Sequence, residues 1–382
     1  MNNLSEIYGI GFPNKGAELM LAAVVSKLTE LGVKKENLCC ARGIAGSAGI
    51  ETIAGLGIKE VLHLPRVSKK NNRKLTKLIP SSILQRYGYV SQDSVYNIID
   101  ASGFAHSDQW GPKVQKRYVE KFRACRDKGG KVIMLPQALG PFQNDEIINN
   151  MRGLMNHVDV VFARDESSAN WLAKAGADSK LGGVFPDFTN LVEGYKCDSD
   201  KRFNNSFVII PNYRILDKGD EGAATTYISM LSKLIEILLS KKIEVVVFNH
   251  EGKQDLEICN KLIELFPSAT LVTEDNPLRI KGILSQFRMG FSSRFDGVVS
   301  LLSQGVPTLC LGWSHKYKEL YKSYKAEEML IDENRMIESM EASLNILLSN
   351  EEKIRAVLQE ESLRNKVQSN LMWNKVSNIL SL

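Results

Sequence analysis

The sequence predicts an α/β protein made of two halves, each a parallel sheet with helices on both faces. Three observations predict it. Short apolar, β-branched runs alternate with helical periods along most of the chain. The alternation breaks once, at the polar stretch KCDSDKRFNN (196–205), and then restarts. At roughly 100 to 200 residues per domain, a chain of 382 residues holds two domains with large cores.

The elements follow in order. EIYGIG leads into ELMLAAVVSKLTELG, SVYNIID into KRYVEKFRACRDKG, KVIMLP into IINNMRGLMNHV, and VVFAR into SSANWLAKAG. Past the polar stretch, FVIIP precedes TTYISMLSKLIEILLSKK, IEVVVFN precedes LEICNKLIELF, RMGFSS precedes DGVVSLLSQG, and TLCLG precedes a Lys-rich segment. Continuous apolar strands are what a sheet covered on both faces requires. From about Glu338 the period is helical, and Trp373, Val376, Ile379 and Leu380 form one face that must dock. The expected domains are 1–195, with a basic insertion at 61–92, then 206–350, then a helical tail at 351–382.

Hydrophobic content of 43%, charge of 24% and mean hydropathy of −0.16 exclude disorder and membrane-spanning classes. The net charge of +5 is local. No acidic residue lies between Glu60 and Asp93, whereas Arg66, Lys69, Lys70, Arg73, Lys74, Lys77 and Arg86 do, so the rest of the chain is slightly acidic. A nucleic-acid-binding face would spread its cations among aromatics over several elements, and this sequence does not. Six scattered cysteines without metal-ligand spacing read as reduced packing thiols, and five dispersed histidines point to a metal-independent site. The start lacks a basic-then-apolar leader and no run of about 18 apolar residues occurs, so a cytoplasmic location is expected.

In parallel α/β sheets, ligands bind beyond the carboxyl ends of strands, where loops and helix N-termini converge. Polar residues there are the candidates. GFPNKGAE sets Asn14, Lys15, Gly16 and Glu18 at a helix N-terminus, which suits an anion or sugar hydroxyls, and equally a turn with Glu18 complementing the helix dipole. IIDASGFAHSDQWGP packs Asp100, Ser102, Gly103, His106, Asp108 and Trp110 into one loop. Asp108 reads as the cap of the helix that Pro112 opens, and Trp110 as a ring for a sugar to stack on. Gln137 ends a strand, Arg164 precedes a helix capped by its Asp165–Ser167 group, and Asp187 lies in a turn before the domain junction.

In the second half, Asn212 and Arg214 follow one strand, and His250, Glu251 and Asp255 follow the next. Arg294 falls at a strand-to-helix transition, and His315 and Lys316 at the corresponding point after the following strand. Neighbouring parallel strands gather these cations into a cluster suited to phosphate or carboxylate. The competing reading pairs Arg294 with Asp296 and leaves His315 as a cap.

These motifs resemble the polysaccharide pyruvyl transferases. The resemblance covers nearly the whole chain: NKGAELML at 14–21, D-x-SGF-x-x-SDQWG at 100–111, LPQALGPF at 135–142, ARDESS at 163–168, PDFTNLVEG at 186–194, PNYR at 211–214, NHEG-x-x-D at 249–255, and SSRFDGVVSLLSQGVP with GWSHKY at 292–317. It implies two Rossmann-like domains facing across a cleft in a glycosyltransferase-B-like arrangement, acceptor side first and donor side second, with the C-terminal helix docking back. It also implies transfer of pyruvate from phosphoenolpyruvate to two hydroxyls of a saccharide, giving a ketal of a surface polysaccharide and free phosphate, with no cofactor beyond the donor substrate.

On that resemblance Arg214, Arg294, Lys316 and Asn212 hold the donor. Asn14, Lys15, Ser102, Asp108, Trp110 and Gln137 meet the acceptor. His315 donates a proton, with His250 as second candidate, while Glu18 or Asp187 orients or deprotonates the acceptor. One residue departs from the family pattern: S-R-F-H-G commonly stands where this chain has Asp296. A free carboxyl has a reference pKa of about 3.9 against about 6.5 for imidazole, which makes Asp296 a poor acid at neutral pH. Two alternatives follow, a nucleotide-sugar glycosyltransferase of the same fold and a saccharide-binding relative with altered catalysis. The basic insertion reads as a solvated excursion, or as a surface that brings the cleft to a lipid-linked saccharide on anionic membrane.

Overall fold

A computed structural model describes residues 3–42, 48–64, 75–76, 78–218, 221–312 and 314–382. The chain divides into two compact units, Met1–Phe188 with Gln368–Leu382, and Thr189–Val367.

The first unit carries an eight-stranded parallel sheet. Its strands are β1 (Ser5–Tyr8), β2 (Leu38–Cys40), β3 (Lys59–Val61), β4 (Tyr89–Val90), β5 (Asn97–Asp100), β6 (Val132–Gln137), β7 (Val160–Ala163) and β8 (Leu181–Val184). They lie in the order β4-β3-β2-β1-β5-β6-β7-β8, with Tyr8 level with Asp100 where β1 pairs β5. The helices α1 (Lys15–Glu30), α2 (Ile50–Leu56), α3 (Ser81–Arg86), α4 (Pro112–Arg126), α5 (Asp145–Met155) and α6 (Glu166–Lys174) connect them. Val132, Met134 and Val161 meet Phe122, Leu154 and Leu172 in one of its cores.

The second unit has a five-stranded parallel sheet, β9 (Phe207–Ile210), β10 (Val245–Asn249), β11 (Thr270–Thr273), β12 (Met289–Ser292) and β13 (Thr308–Cys310), in the order β11-β10-β9-β12-β13. Its helices are α7 (Tyr213–Lys218), α8 (Glu221–Ser240), α9 (Gly252–Leu265), α10 (Pro277–Leu284), α11 (Phe295–Leu302), α12 (His315–Ser323) and α13 (Met336–Ser349). Successive side chains of a strand point to opposite faces, and the unit uses both. Phe207 and Ile209 pack with Leu231 and Leu234, whereas Val208 and Ile210 pack with Ile280, Ile283 and Leu301.

The strands that the apolar runs predict are present. Apolar runs do not signal β2, β3, β4, β8 and β11, which are two to four residues long; β3, β8 and β11 also carry Lys, Glu, Gly or Thr. The polar stretch after residue 195 is not a plain linker. Asp198–Phe203 forms a 3-10 turn, and Arg279 clamps Asp200 at 2.8 and 3.0 Å. The tail forms α14 (Glu351–Leu380). Its last turns belong to the first unit, where Trp373 packs edge-on to Phe188 and Lys375 donates to the Gly182 carbonyl at 2.7 Å. Of the basic insertion, Arg66, Lys69, Lys70, Arg73, Lys74 and Lys77 lie outside the described residues.

Candidate active site

In the second sheet, β9 is the strand from which the order runs both ways, to β10 and β11 on one side and to β12 and β13 on the other. Such a reversal opens a crevice at the carboxyl edge. The residues after β10, β9, β12 and β13 stand side by side there.

Arg294 caps α11 and is 13% exposed. Its Nε and Nη2 donate to the two oxygens of Asp255 at 2.7 Å each, and its Nη1 donates to Glu251 Oε2 at 2.9 Å. Asp255 is fully buried and also accepts from the Tyr213 backbone N–H at 2.9 Å. Burial works against the guanidinium charge, yet Asp255, Glu251 and Asp296 together hold the Arg294 pKa above its ordinary value. Burial pushes the Glu251 carboxyl up to about 7; Arg294 and Arg214 pull it down, and the charges of Asp296 and Asp255 push it up.

Two expectations change here. Arg294 is expected to hold the donor, but three of its N–H donors are committed to Asp255 and Glu251, so it anchors the cluster as well as charging it. Nor is Asp296 the hydrogen-bonding partner in these contacts; its effect on Arg294 is Coulombic. Asn212 is buried and donates to the Ser293 carbonyl at 2.9 Å while accepting from the Arg214 backbone N–H at 2.9 Å. Its amide positions β9 against β12 rather than facing a ligand. Lys316 lies over the Phe295 ring at 4.6 Å, in the first turn of the helix that His315 opens. His250 is buried beside Glu251.

The sequence sets Glu251 and Asp255 past a strand at this edge but assigns neither a role in the site. The signal was there: HEGKQD spaces two carboxylates four residues apart at a helix start, on one helix face. Tyr227 left no such trace. It reads as one more apolar residue of α8, yet its hydroxyl accepts from the Asn212 N–H at 3.1 Å and shares a 2.5 Å hydrogen bond with Ser293 Oγ.

At the carboxyl edge of the first sheet, β1 meets β5 and β6 follows. Gly9 turns at φ +85, where a Cβ would stand 2.5 Å from Ser102 Cβ, so only glycine fits. Asp100 accepts from Gln137 Nε2 at 2.6 Å and from the Ser102 N–H at 3.1 Å, and Ser102 Oγ donates to Gln137 Oε1 at 3.0 Å. Gln137 is fully buried, so its side-chain bonds organise the loop, contrary to the acceptor contact expected of it.

Asn14 is the N-cap of α1, accepting from Ala17 N–H at 2.8 Å. Lys15 lies 3.5 Å from Glu18, which is buried and accepts from Thr52 Oγ1. Asp108 does not cap α4. Its carboxylate accepts from the Gln143 N–H at 2.7 Å and the Asn144 N–H at 3.4 Å, tying two loops together, and Gly111 occupies the cap position. Asp165 does cap α6. Asp187 pairs with Arg164 at 3.1 Å inside the unit, both nearly buried. Trp110 is 46% exposed and packs edge-on to Phe104.

The family model of the polysaccharide pyruvyl transferases matches residues 14–315, from the cap of α1 to the first residue of α12. The chain belongs to that family. It is thus a member of a transferase family, and the matched span holds most of both carboxyl edges. A comparison with curated proteins finds no match. Solved structures show the fold. S. aureus MnaA in complex with UDP is 14% identical with a TM-score of 0.64, covering 100% of this chain and 98% of that one. The UDP-GlcNAc 2-epimerase of Neisseria meningitidis, bound to UDP-GlcNAc, is 13% identical with a TM-score of 0.62, covering 99% and 100%. A glycosyltransferase from Rickettsia africae is 13% identical with a TM-score of 0.56, covering 100% and 99%. The fold is the glycosyltransferase-B type, built of two Rossmann-like domains. Among the described residues, no helix is long and apolar enough to cross a membrane.

Proposed function

We propose that this transferase moves the pyruvate skeleton of phosphoenolpyruvate onto two hydroxyls of a saccharide, forming a cyclic ketal during surface polysaccharide synthesis. The observation that carries the reading is the charged cluster of Arg294, Arg214, Glu251 and Asp255 at the strand-order reversal of the second unit, in a chain of this family. Arg214, Arg294 and Lys316 hold the phosphate and carboxylate of the donor, with Asn212 setting the loop. His315 donates a proton, with His250 behind it. Trp110, Lys15 and Asn14 meet the acceptor, Glu18 orients it, and Asp108, Ser102 and Gln137 shape the loop that presents Trp110; Asp187 fixes Arg164. No cofactor beyond the donor is required.

The direct test incubates the protein with phosphoenolpyruvate and candidate oligosaccharides and follows phosphate release, with Asp296→His alongside. Release that depends on acceptor is expected from the native chain, and a changed rate from the variant. No release from either, while a related pyruvyl transferase releases phosphate under the same conditions, would remove the ketal reading. The second reading, a nucleotide-sugar glycosyltransferase, draws on the UDP and UDP-GlcNAc held by proteins of the same fold. A melting temperature raised by UDP and unmoved by phosphoenolpyruvate would favour it.

The protein is proposed to work in the cytoplasm, at the inner face of an anionic membrane. Leu75, Leu78, Ile83 and Tyr87 are exposed, and in the sequence they adjoin the cations of the insertion, which supports a surface of mixed apolar and basic contact. Sedimentation with anionic liposomes is expected to fall when Lys69, Lys70, Arg73 and Lys74 are neutralised; unchanged binding would end the idea.

A further inference from the structure

Ketal formation from phosphoenolpyruvate moves two protons. The methylene carbon gains one and becomes a methyl group, the departing phosphate gains the other, and the two acceptor hydroxyls lose one each. The C–O bond to phosphate breaks, two C–O bonds to the saccharide form, and no oxidant or reductant is needed. His315 serves one transfer in the reading above, which leaves a second proton carrier to be found.

We infer that Glu251 is that carrier: it takes up a proton as the anionic donor binds, delivers it to the methylene carbon, and regains one from an acceptor hydroxyl. The inference rests on the ketal reading. Its geometry is that of a carboxyl held in place yet still reachable. Glu251 stands at the carboxyl end of β10, directly before α9, with Oε2 fixed at 2.9 Å from Arg294 Nη1. Asp255, its partner on the same guanidinium, is fully buried and spends both oxygens on Arg294 and the Tyr213 N–H, whereas the Glu251 side chain keeps 20% exposure. Of the two, Glu251 is the carboxyl a ligand can approach.

The charges around Glu251 favour the protonated form once an anion arrives. Arg294 and Arg214 face it as cations, and Asp255 and Asp296 as carboxylates, with His250 as its chain neighbour. Among the two arginines and three carboxyls, an ionised Glu251 leaves one negative charge in excess and a protonated one leaves none. A ligand carrying phosphate and carboxylate adds charge that ionised Glu251 repels, so binding draws a proton onto it. The N-terminus of α9 favours the ionised form, whereas burial works against it and pushes the carboxyl up to about 7. A group with that pKa can both give and recover a proton near neutrality.

Calorimetry of phosphoenolpyruvate binding at about pH 8, where the ligand is already ionised, tests this in buffers of different ionisation enthalpy. The native protein is expected to take up a substantial fraction of a proton per ligand bound. Above the carboxyl's pKa its affinity is expected to fall by up to about tenfold per pH unit. In Glu251→Gln, which can still accept from Arg294, that uptake and that slope are expected to vanish while binding persists, and acceptor-dependent phosphate release to fall by at least about a hundredfold. Binding by the native protein without proton uptake overturns the inference and leaves the ketal reading standing. Failure of the native protein to bind phosphoenolpyruvate overturns that reading itself. The uptake measurement needs no variant, so a misfolded Glu251→Gln does not spoil it.

Discussion

The two units reach the same topological feature and furnish it in opposite ways. Each sheet has a strand from which the order runs in both directions, β1 in the first and β9 in the second, and each gathers polar residues at the carboxyl edge beside it. In the first unit Asp100, Gln137 and Ser102 close a compact set of hydrogen bonds around one carboxylate, with buried His106 3.8 Å from it, and Asn14 caps its own helix. In the second, Arg294 is set against two carboxylates, and a third carboxylate and a second arginine act on the group through charge. The first edge is a settled platform. The second stores unfavourable charge, and its protonation state is therefore the one that a ligand can change.

The largest expected effect comes from breaking the charged edge. Arg294→Ala leaves Asp255 fully buried without its guanidinium and Glu251 without its clamp. Removing one partner of a buried ion pair typically costs about 3–5 kcal/mol, so the urea midpoint of the variant is expected to drop sharply and phosphate release to disappear. Arg294→Lys keeps the charge but cannot bond both oxygens of Asp255 and also reach Glu251, and should recover only part of the loss. A drop of less than about 1 kcal/mol, within the range of an exposed pair, would mean that the edge is not electrostatically loaded, and the contrast with the first unit would collapse.

Much of this contrast could be read from the chain, and the reasons for the remainder are physical. The parallel sheets were visible because strands buried on both faces need runs such as VIML and FVII. That Arg214, Arg294 and Asp296 fall about one edge was legible because polar residues followed successive apolar strands. Pairing was not. Sequence places Arg294 two residues from Asp296, yet the guanidinium bonds to Glu251 and Asp255, which a different strand and helix supply. The same limit misassigned Asp108, which looks like a cap for the helix just after it and instead holds the Gln143 N–H, 35 residues on. Long-range partners depend on strand order, and alternation of elements does not encode strand order.

The smallest expected effect on stability lies at the first edge, and it sharpens the comparison. Trp110 is 46% exposed and, among the described residues, its ring contact is to Phe104, so Trp110→Ala should leave the melting transition within about 0.5 kcal/mol of the native protein. Gln137 has the opposite profile. Fully buried and bonded to Asp100 and Ser102, it should cost about 1–3 kcal/mol when replaced by alanine, because Asp100 is left short of a donor in the interior. If Trp110 is the acceptor's stacking surface, its loss removes about 0.5–1.5 kcal/mol of ring contact beyond buried area. The KM for saccharide should then rise by up to about tenfold, with the KM for phosphoenolpyruvate unmoved. Gln137→Ala should instead lower the melting temperature and shift both KM values little in the protein that remains folded. Were the two variants to exchange behaviours, with Trp110 governing stability and Gln137 governing saccharide KM, the first edge would not be a platform that presents one aromatic ring, and acceptor recognition would have to be sought among its buried amides.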